Sequence, residues 1–92
     1  MMIEKRIVVT HKVGLHARPA SLFVETANKF SANIYAQNIS TNGEPVDAKS
    51  IILVLTLGVQ HNHELLLKAE GSDAEKAIQS LFELVNSDFG EK

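Results

Sequence analysis

His16 and Arg18 stand astride Ala17 in the stretch Val13–Phe23, VGLHARPASLF, with Gly14 upstream and Pro19 directly after. An imidazole titrates near neutrality and can act as a nucleophile, while a guanidinium presents a planar fork of donors that matches phosphate oxygens. Proline is tolerated in a helix only within its first turn, so Arg-Pro marks a helix start. Two registers fit. Either Pro19 is the first helical residue and Arg18 caps, or the helix begins at Ala17 and His16 caps. The second is favoured, although a residue before proline resists the α conformation. It sets the imidazole beside the unpaired amides of Ala17 and Arg18. Such amides and the positive end of the helix dipole together hold an anion, the dipole contributing about 0.3–1 kcal/mol. Neighbouring positive charge favours the neutral imidazole, the form that attacks phosphorus. The chemistry indicated is phosphoryl transfer on His16. Taken alone, however, His-x-Arg-Pro is more often a capping histidine beside a solvated arginine, so the rest of the chain has to decide.

The elements around this cluster follow from periodicity. Ile3–Thr10 alternates as a strand. From about Ala17 to Phe30, Ala20, Phe23, Val24, Ala27 and Phe30 keep the spacing of one helix face. Asn33–Ile39 alternates again, and Asn42-Gly43 predicts a tight hairpin turn. Pro45 cannot donate to a ladder, so the short strand Glu44–Ala48 is expected at a sheet edge or in irregular pairing. Ser50–Leu57 is apolar and closed by Gly58; its periodicity fits a helix or a buried strand. His63–Ala69 alternates with Leu65, Leu67 and Ala69 on one side. Ser72-Asp-Ala-Glu75 has the form of a capping box, opening a helix striped by Ala74, Ala77, Ile78, Leu81 and Val85. Residues Asn86–Lys92 are expected to fray. The order β-α-β-β-α-β-α predicts an α+β fold with one antiparallel sheet covered on one face by helices.

The 92 residues suit a single domain, 1–92. With nine Lys and Arg against eleven Asp and Glu, the net charge of −2 gives no basic face for nucleic acid. The chain has no cysteine, so neither disulfides nor thiolate metal sites are possible. No apolar run approaches the roughly 18 residues of a membrane span, and the start lacks the pattern of a signal peptide. A cytoplasmic protein without membrane insertion is expected. No Gly-rich phosphate loop appears, so a phosphoryl group would come from a protein donor. No metal or cofactor is expected; His61 and His63 are two apart, and though on a strand they would share a face, no third ligand is placed. His11, near the site loop, reads as a solvated loop residue.

The sequence GLHARPASLFVETANKF, followed by VDAKSI and LTLGV and then AEGSDAEKA, closely resembles the HPr family. These are the histidine-containing phosphocarriers of the bacterial phosphoenolpyruvate:sugar phosphotransferase system. The resemblance runs from about Ile7 to Val85. It implies an open-faced β-sandwich, four antiparallel strands with three helices on one side, and a monomer is expected. It further implies that His16 takes a phosphoryl group on Nδ1 from enzyme I and gives it to enzyme IIA domains. Arg18 and the amides of Ala17 and Arg18 would hold the phosphate. Ser50 reads first as a helix cap; by resemblance it is the serine modified by an HPr kinase/phosphorylase, which links some members to a transcriptional regulator. The matching docking surface is Ala17, Ser21, Ile51, Ile52 and Leu55, an exposed apolar patch of the kind that marks a partner site.

Three features depart from the family pattern. Val13 stands where a small polar residue is common, the His16-to-Ser50 spacing is longer, with the extra residues assigned to Asn38–Gly43, and ILVLTL is bulkier than usual. The rival readings are a regulatory module acting through Ser50 or the patch, and a carrier in a specialised branch. Pro19 leans away from the nitrogen branch, and the presence of His16 argues against a purely regulatory paralogue.

Overall fold

The central strand carries the sheet. In the computed structural model, which describes residues 2–91, the strands are β1 (Met2–Val8), β2 (Asn33–Asn38), β3 (Val46–Asp47) and β4 (Glu64–Glu70). The helices are α1 (Ala17–Ala27), α2 (Ile51–Leu55) and α3 (Ala74–Asn86). The sheet order is β1-β4-β2-β3, with every neighbour antiparallel. Leu65, Leu67 and Ala69 of β4 alternate inward and are buried, in register with Ile7 on β1 and with Ile34 and Ala36 on β2. The helices bury Ala20, Phe23 and Ala27 of α1 and Ala77, Ile78, Leu81 and Val85 of α3 against that face. Each fully buried Leu or Phe contributes roughly 1.5–3 kcal/mol. On the opposite face Glu4, Lys68 and Tyr35 line up across three strands, and Glu4 pairs with Lys68 at 3.7 Å. The result is the expected open-faced α+β sandwich. Among the described residues no helix is long and apolar enough to cross a membrane.

Several local expectations need correction. β1 ends at Val8, and Val9 beyond it pairs irregularly: its N–H donates to the His63 carbonyl at 2.9 Å, but its carbonyl accepts from the Asn62 N–H at 2.7 Å. α1 ends at Ala27, not Phe30; the Asn28 side chain donates back to the Val24 carbonyl at 2.9 Å, and Lys29 and Phe30 close with tight bonds to Thr26 and Ala27. Asn42-Gly43 is not a two-residue hairpin turn. A 3-10 turn, Ile39–Thr41, fills the connection, with Asn42 alone of the pair left-handed at φ 57°. Asn38 organises it: buried, it accepts from the Ser40 N–H and donates to the Leu57 carbonyl at 3.0 Å.

The capping box does not form. Asp73, not Ser72, is the N-cap of α3, and its side chain makes no cap bond. Its carboxylate instead accepts from the Ser31 N–H at 2.9 Å and the Ala32 N–H at 2.8 Å, tying α3 to the entry of β2. The Ser31 N–H foremost holds that carboxyl below its usual range. The ambiguous segment after Ser50 is helical over Ile51–Leu55 only, with Thr56 as its C-cap, and Gly58 turns the chain beyond it at φ +58°.

Candidate functional site

The loop before α1 is built around a close backbone approach. Gly14 has φ +69°, and a Cβ there would lie 2.1 Å from the Val59 carbonyl oxygen and 2.7 Å from the Gln60 Cα. Only glycine permits that contact. It lets the Leu15 N–H donate to the Val59 carbonyl at 3.0 Å while the Gly14 N–H reaches the His11 carbonyl at 3.0 Å. Leu15 is buried on one side of the turn and Pro19 and Ala20 on the other, so the exposed residues between them, His16, Ala17 and Arg18, are held at the surface.

His16 is the N-cap of α1, with extended backbone (φ −90°, ψ −166°) and no capping bond from its side chain. The favoured register is therefore the one adopted. The first turn closes through the Ala20 N–H to the His16 carbonyl at 2.8 Å. Pro19 has no N–H, so the start of α1 offers the amides of Ala17 and Arg18 for an anion. The His16 side chain is exposed at the mouth of this helix.

Arg18, 69% exposed, is not solvated on its own. Its Nη1 donates to Glu91 Oε2 at 2.9 Å, while Glu91 Oε1 lies 3.0 Å from His11 Nε2. The Val13 N–H approaches His11 Nδ1 at 3.3 Å, which assigns the ring proton to Nε2 and makes His11 the donor to Glu91. The His11 ring stands 5.6 Å from that of His16. One carboxylate thus bridges the guanidinium and a second imidazole beside the candidate nucleophile. The His11 hydrogen bond foremost holds the Glu91 carboxyl below its usual range; burial opposes it, and nearby positive charge, that of Arg18 included, adds to the lowering.

Two expectations are corrected by this cluster. His11 is not a solvated loop residue; only 6% of it is exposed. Nor do the residues after Asn86 fray, Lys92 lying outside the described residues. A 3-10 turn, Asp88–Gly90, hooks back, buries Phe89 edge-on to His11 at 5.8 Å, and places Asp88 to accept from the Thr10 hydroxyl at 2.6 Å. Asp88 and Phe89 are left-handed at φ 51° and 58°. Two such residues cost roughly 2–4 kcal/mol, and burying a Phe returns about 1.5–3 kcal/mol. The Thr10–Asp88 contact and those of His11 and Arg18 with Glu91 fasten the hook to the site loop.

At the second helix start, Ser50 is the N-cap of α2 and its Oγ accepts from the Leu53 N–H at 3.3 Å. Of the proposed docking residues, Ala17 and Ser21 are exposed one turn apart on α1, Ile52 is 72% exposed, and Leu55 is exposed. Ile51 is half-buried against the core. Leu53, also exposed, was not singled out from the sequence. His63 is structural: its Nδ1 meets the Gln60 N–H and the Asn38 amide, each at 3.1 Å. Among the described residues no cluster of three or more His, Cys, Asp or Glu can hold a metal.

The arrangement has known counterparts. A family profile described as the PTS HPr component phosphorylation site matches residues 3–87. The chain belongs to the HPr family. It is 42% identical over 85 residues to the phosphocarrier protein HPr of Haloferax volcanii, covering 92% of this chain and 94% of that one. A crystal structure of HPr-C-His from Thermoanaerobacter tengcongensis superposes with a TM-score of 0.91 at 46% identity, covering 98% of both chains. The chain is also 49% identical over 78 residues to the multiphosphoryl transfer protein of Vibrio cholerae, covering 85% of this chain and 20% of that protein. It spans about a fifth to a quarter of the length of the multiphosphoryl transfer proteins it matches. HPr is a phosphocarrier of the phosphotransferase system, and the chain is a phosphocarrier-family member.

Proposed function

We propose that residues 1–92 act as a single monomeric domain in which His16 accepts a phosphoryl group from phosphorylated enzyme I and donates it to an enzyme IIA. The observation that supports this reading is an exposed imidazole at the start of α1, without a capping bond and with two amides and Arg18 beside it. A ring nitrogen lone pair of His16, Nδ1 by family resemblance, attacks phosphorus. The new N–P bond forms as the bond from phosphorus to the donor breaks, and the donor leaves with that electron pair. Arg18 and the amides of Ala17 and Arg18 neutralise the arriving oxygens. The second transfer is the reverse displacement onto the acceptor. The chain carries the group stoichiometrically and turns over no substrate alone.

Docking would use Ala17, Ser21, Ile52 and Leu55, with Ile51 packed beneath them and Leu53 added to the surface. A phosphate on Ser50 would place roughly −1.5 to −2 charges inside this apolar patch and act on partners rather than on the fold. The test is incubation with phosphoenolpyruvate and catalytic enzyme I. Wild-type protein should gain an acid-labile, base-stable phosphate that is absent from His16→Ala. Wild type that gains none would overturn the carrier reading in favour of a binding module.

A further inference from the structure

We propose that His63 is a positioning residue for phosphoryl transfer: the lone pair on its Nδ1 locks the turn 59–63, and that turn clamps both ends of the loop that presents His16. The inference deepens the carrier reading and rests on it. The loop 9–15 joins β1 to α1 and meets the turn at each end. At its entry the Val9 N–H donates to the His63 carbonyl at 2.9 Å, and the Val9 carbonyl accepts from the Asn62 N–H at 2.7 Å. At its exit the Leu15 N–H donates to the Val59 carbonyl at 3.0 Å, and Gly14 lies so close to the Val59 and Gln60 backbone that no Cβ fits. His16 follows directly, so a displaced turn displaces the imidazole.

What holds the turn is the His63 ring. Asn38, fully buried, accepts from the Ser40 N–H through Oδ1 at 3.1 Å and donates through Nδ2 to the Leu57 carbonyl at 3.0 Å, which fixes its orientation. Nδ2 therefore faces His63 Nδ1, 3.1 Å away, as a donor. The Gln60 N–H approaches the same nitrogen at 3.1 Å. Two N–H groups converge on Nδ1, so that atom carries a lone pair and the ring proton sits on Nε2. A side chain with no acceptor there deprives both, one of them on a buried amide, and a buried donor without a partner forces its surroundings to move. The 3-10 turn Ile39–Thr41 is fastened to the same place, Ser40 Oγ accepting from the Glu64 N–H at 2.8 Å. The stretch to which the extra length between His16 and Ser50 is assigned thus bears on the phosphoryl site. His63 acts through Gln60 and Val59 and touches no reacting atom. The exposed Ile52, Leu53 and Leu55 of α2 contribute no side chain to the network, so its loss acts on transfer rather than on docking.

The experiment follows transfer from phosphorylated enzyme I by rapid mixing at a series of concentrations of this protein, which separates the maximal rate from the half-saturating concentration. His63→Leu should lower the maximal rate about five- to tenfold, short of the ~100-fold of a 1 Å misplacement, and leave the half-saturating concentration within about twofold. His63→Asn, whose Oδ1 can stand in for Nδ1, should recover the rate to within about twofold of wild type. The Val9 and Leu15 amides should exchange faster with solvent in His63→Leu and at the wild-type rate in His63→Asn. In wild type itself, nitrogen NMR should find the His63 ring proton on Nε2 alone, a reading that needs no variant to fold. A wild-type transfer rate in His63→Leu, an equal loss in both variants, a loss confined to the half-saturating concentration, or a proton on Nδ1 overturns the inference and leaves the carrier reading standing. Wild type that takes no phosphate overturns the carrier reading and this inference with it.

Discussion

The two helix starts, at His16 and at Ser50, use one backbone feature for opposite ends. Both caps are extended and both stand ahead of a first turn with amides to satisfy. At α2 the cap satisfies one itself, Ser50 Oγ accepting from Leu53 N–H, and the helix then shows solvent Ile52, Leu53 and Leu55. At α1 the cap side chain satisfies none, Pro19 removes one donor outright, and a cation held by a distant carboxylate stands beside the rest. A start that closes on itself is suited to presenting a surface. One left open is suited to receiving an anion. The difference teaches that the distinguishing residue is the cap, and that the Gly14 approach to Val59 and the Glu91 contact to Arg18, which frame the open start, lie outside its own helix.

The strongest way to break this comparison is at Gly14. Gly14→Ala puts a Cβ against the Val59 backbone from a left-handed residue, a contact that no rotamer change relieves. We expect a loss of roughly 2–4 kcal/mol in denaturant unfolding, with displacement of the loop that sets His16. Retention of wild-type stability would show that the open start of α1 does not depend on that approach. Val59 lies beyond the end of α2, so the Ser50–Leu53 contact at the start of that helix should be affected less than the His16 ring in the folded population.

The comparison also separates what was legible in the sequence from what was not. The α1 and α3 stripes and the alternation of β4 follow from local periodicity, the edge position of β3 from the missing N–H of Pro45 just before it, and the fold they imply is the one found. His16, Arg18 and Ser50 could be picked out because proline, serine and the glycines punctuate a helix start within a few residues. Glu91 could not. It meets Arg18 across 73 positions and His11 across 80, from a hook whose left-handed Asp88 and Phe89 no propensity would select. The same limit hid His11, which looks like a loop histidine until Phe89 and Glu91 cover it. Asp73 misled for a related reason. Its box pattern is local, but two amides at Ser31 and Ala32 compete for the carboxylate and win.

A matched pair of substitutions sharpens the contrast at smaller cost. Ser50→Ala removes a cap that is made and should destabilise the protein by about 1 kcal/mol, whereas Ser50→Gly should cost only a few tenths. His16→Ala removes a side chain that caps nothing and should stay within roughly 0.5 kcal/mol of wild type. Chemical denaturation of the three variants under one condition decides the matter. Equal losses at the two positions would mean that the His16 side chain supports α1 in some way its geometry does not show, and the distinction between open and closed starts would have to be given up.

The smallest effect is the one most specific to the open start. Its neighbourhood is held by a carboxylate, the closed one by a hydroxyl that does not titrate. Hydrogen bonding from His11, with nearby positive charge, that of Arg18 included, holds the Glu91 carboxyl below the value of about 4.3 that it has in an unfolded chain. A depressed carboxyl contributes stability that is present above its unfolded value and is lost as pH falls through the folded one. Acid titration below about pH 4.3 should therefore move the Arg18 side-chain and His11 ring signals while the Leu53 amide keeps its position, and Glu91→Gln should abolish the first change alone. Asp73 titrates with the same sign, but it joins α3 to β2 and should report through Ser31 and Ala32 instead. If the Leu53 amide moved together with Arg18, the two helix starts would be coupled through the α1–α2 packing, and the open site could no longer be treated as switching independently of the surface that greets its partners.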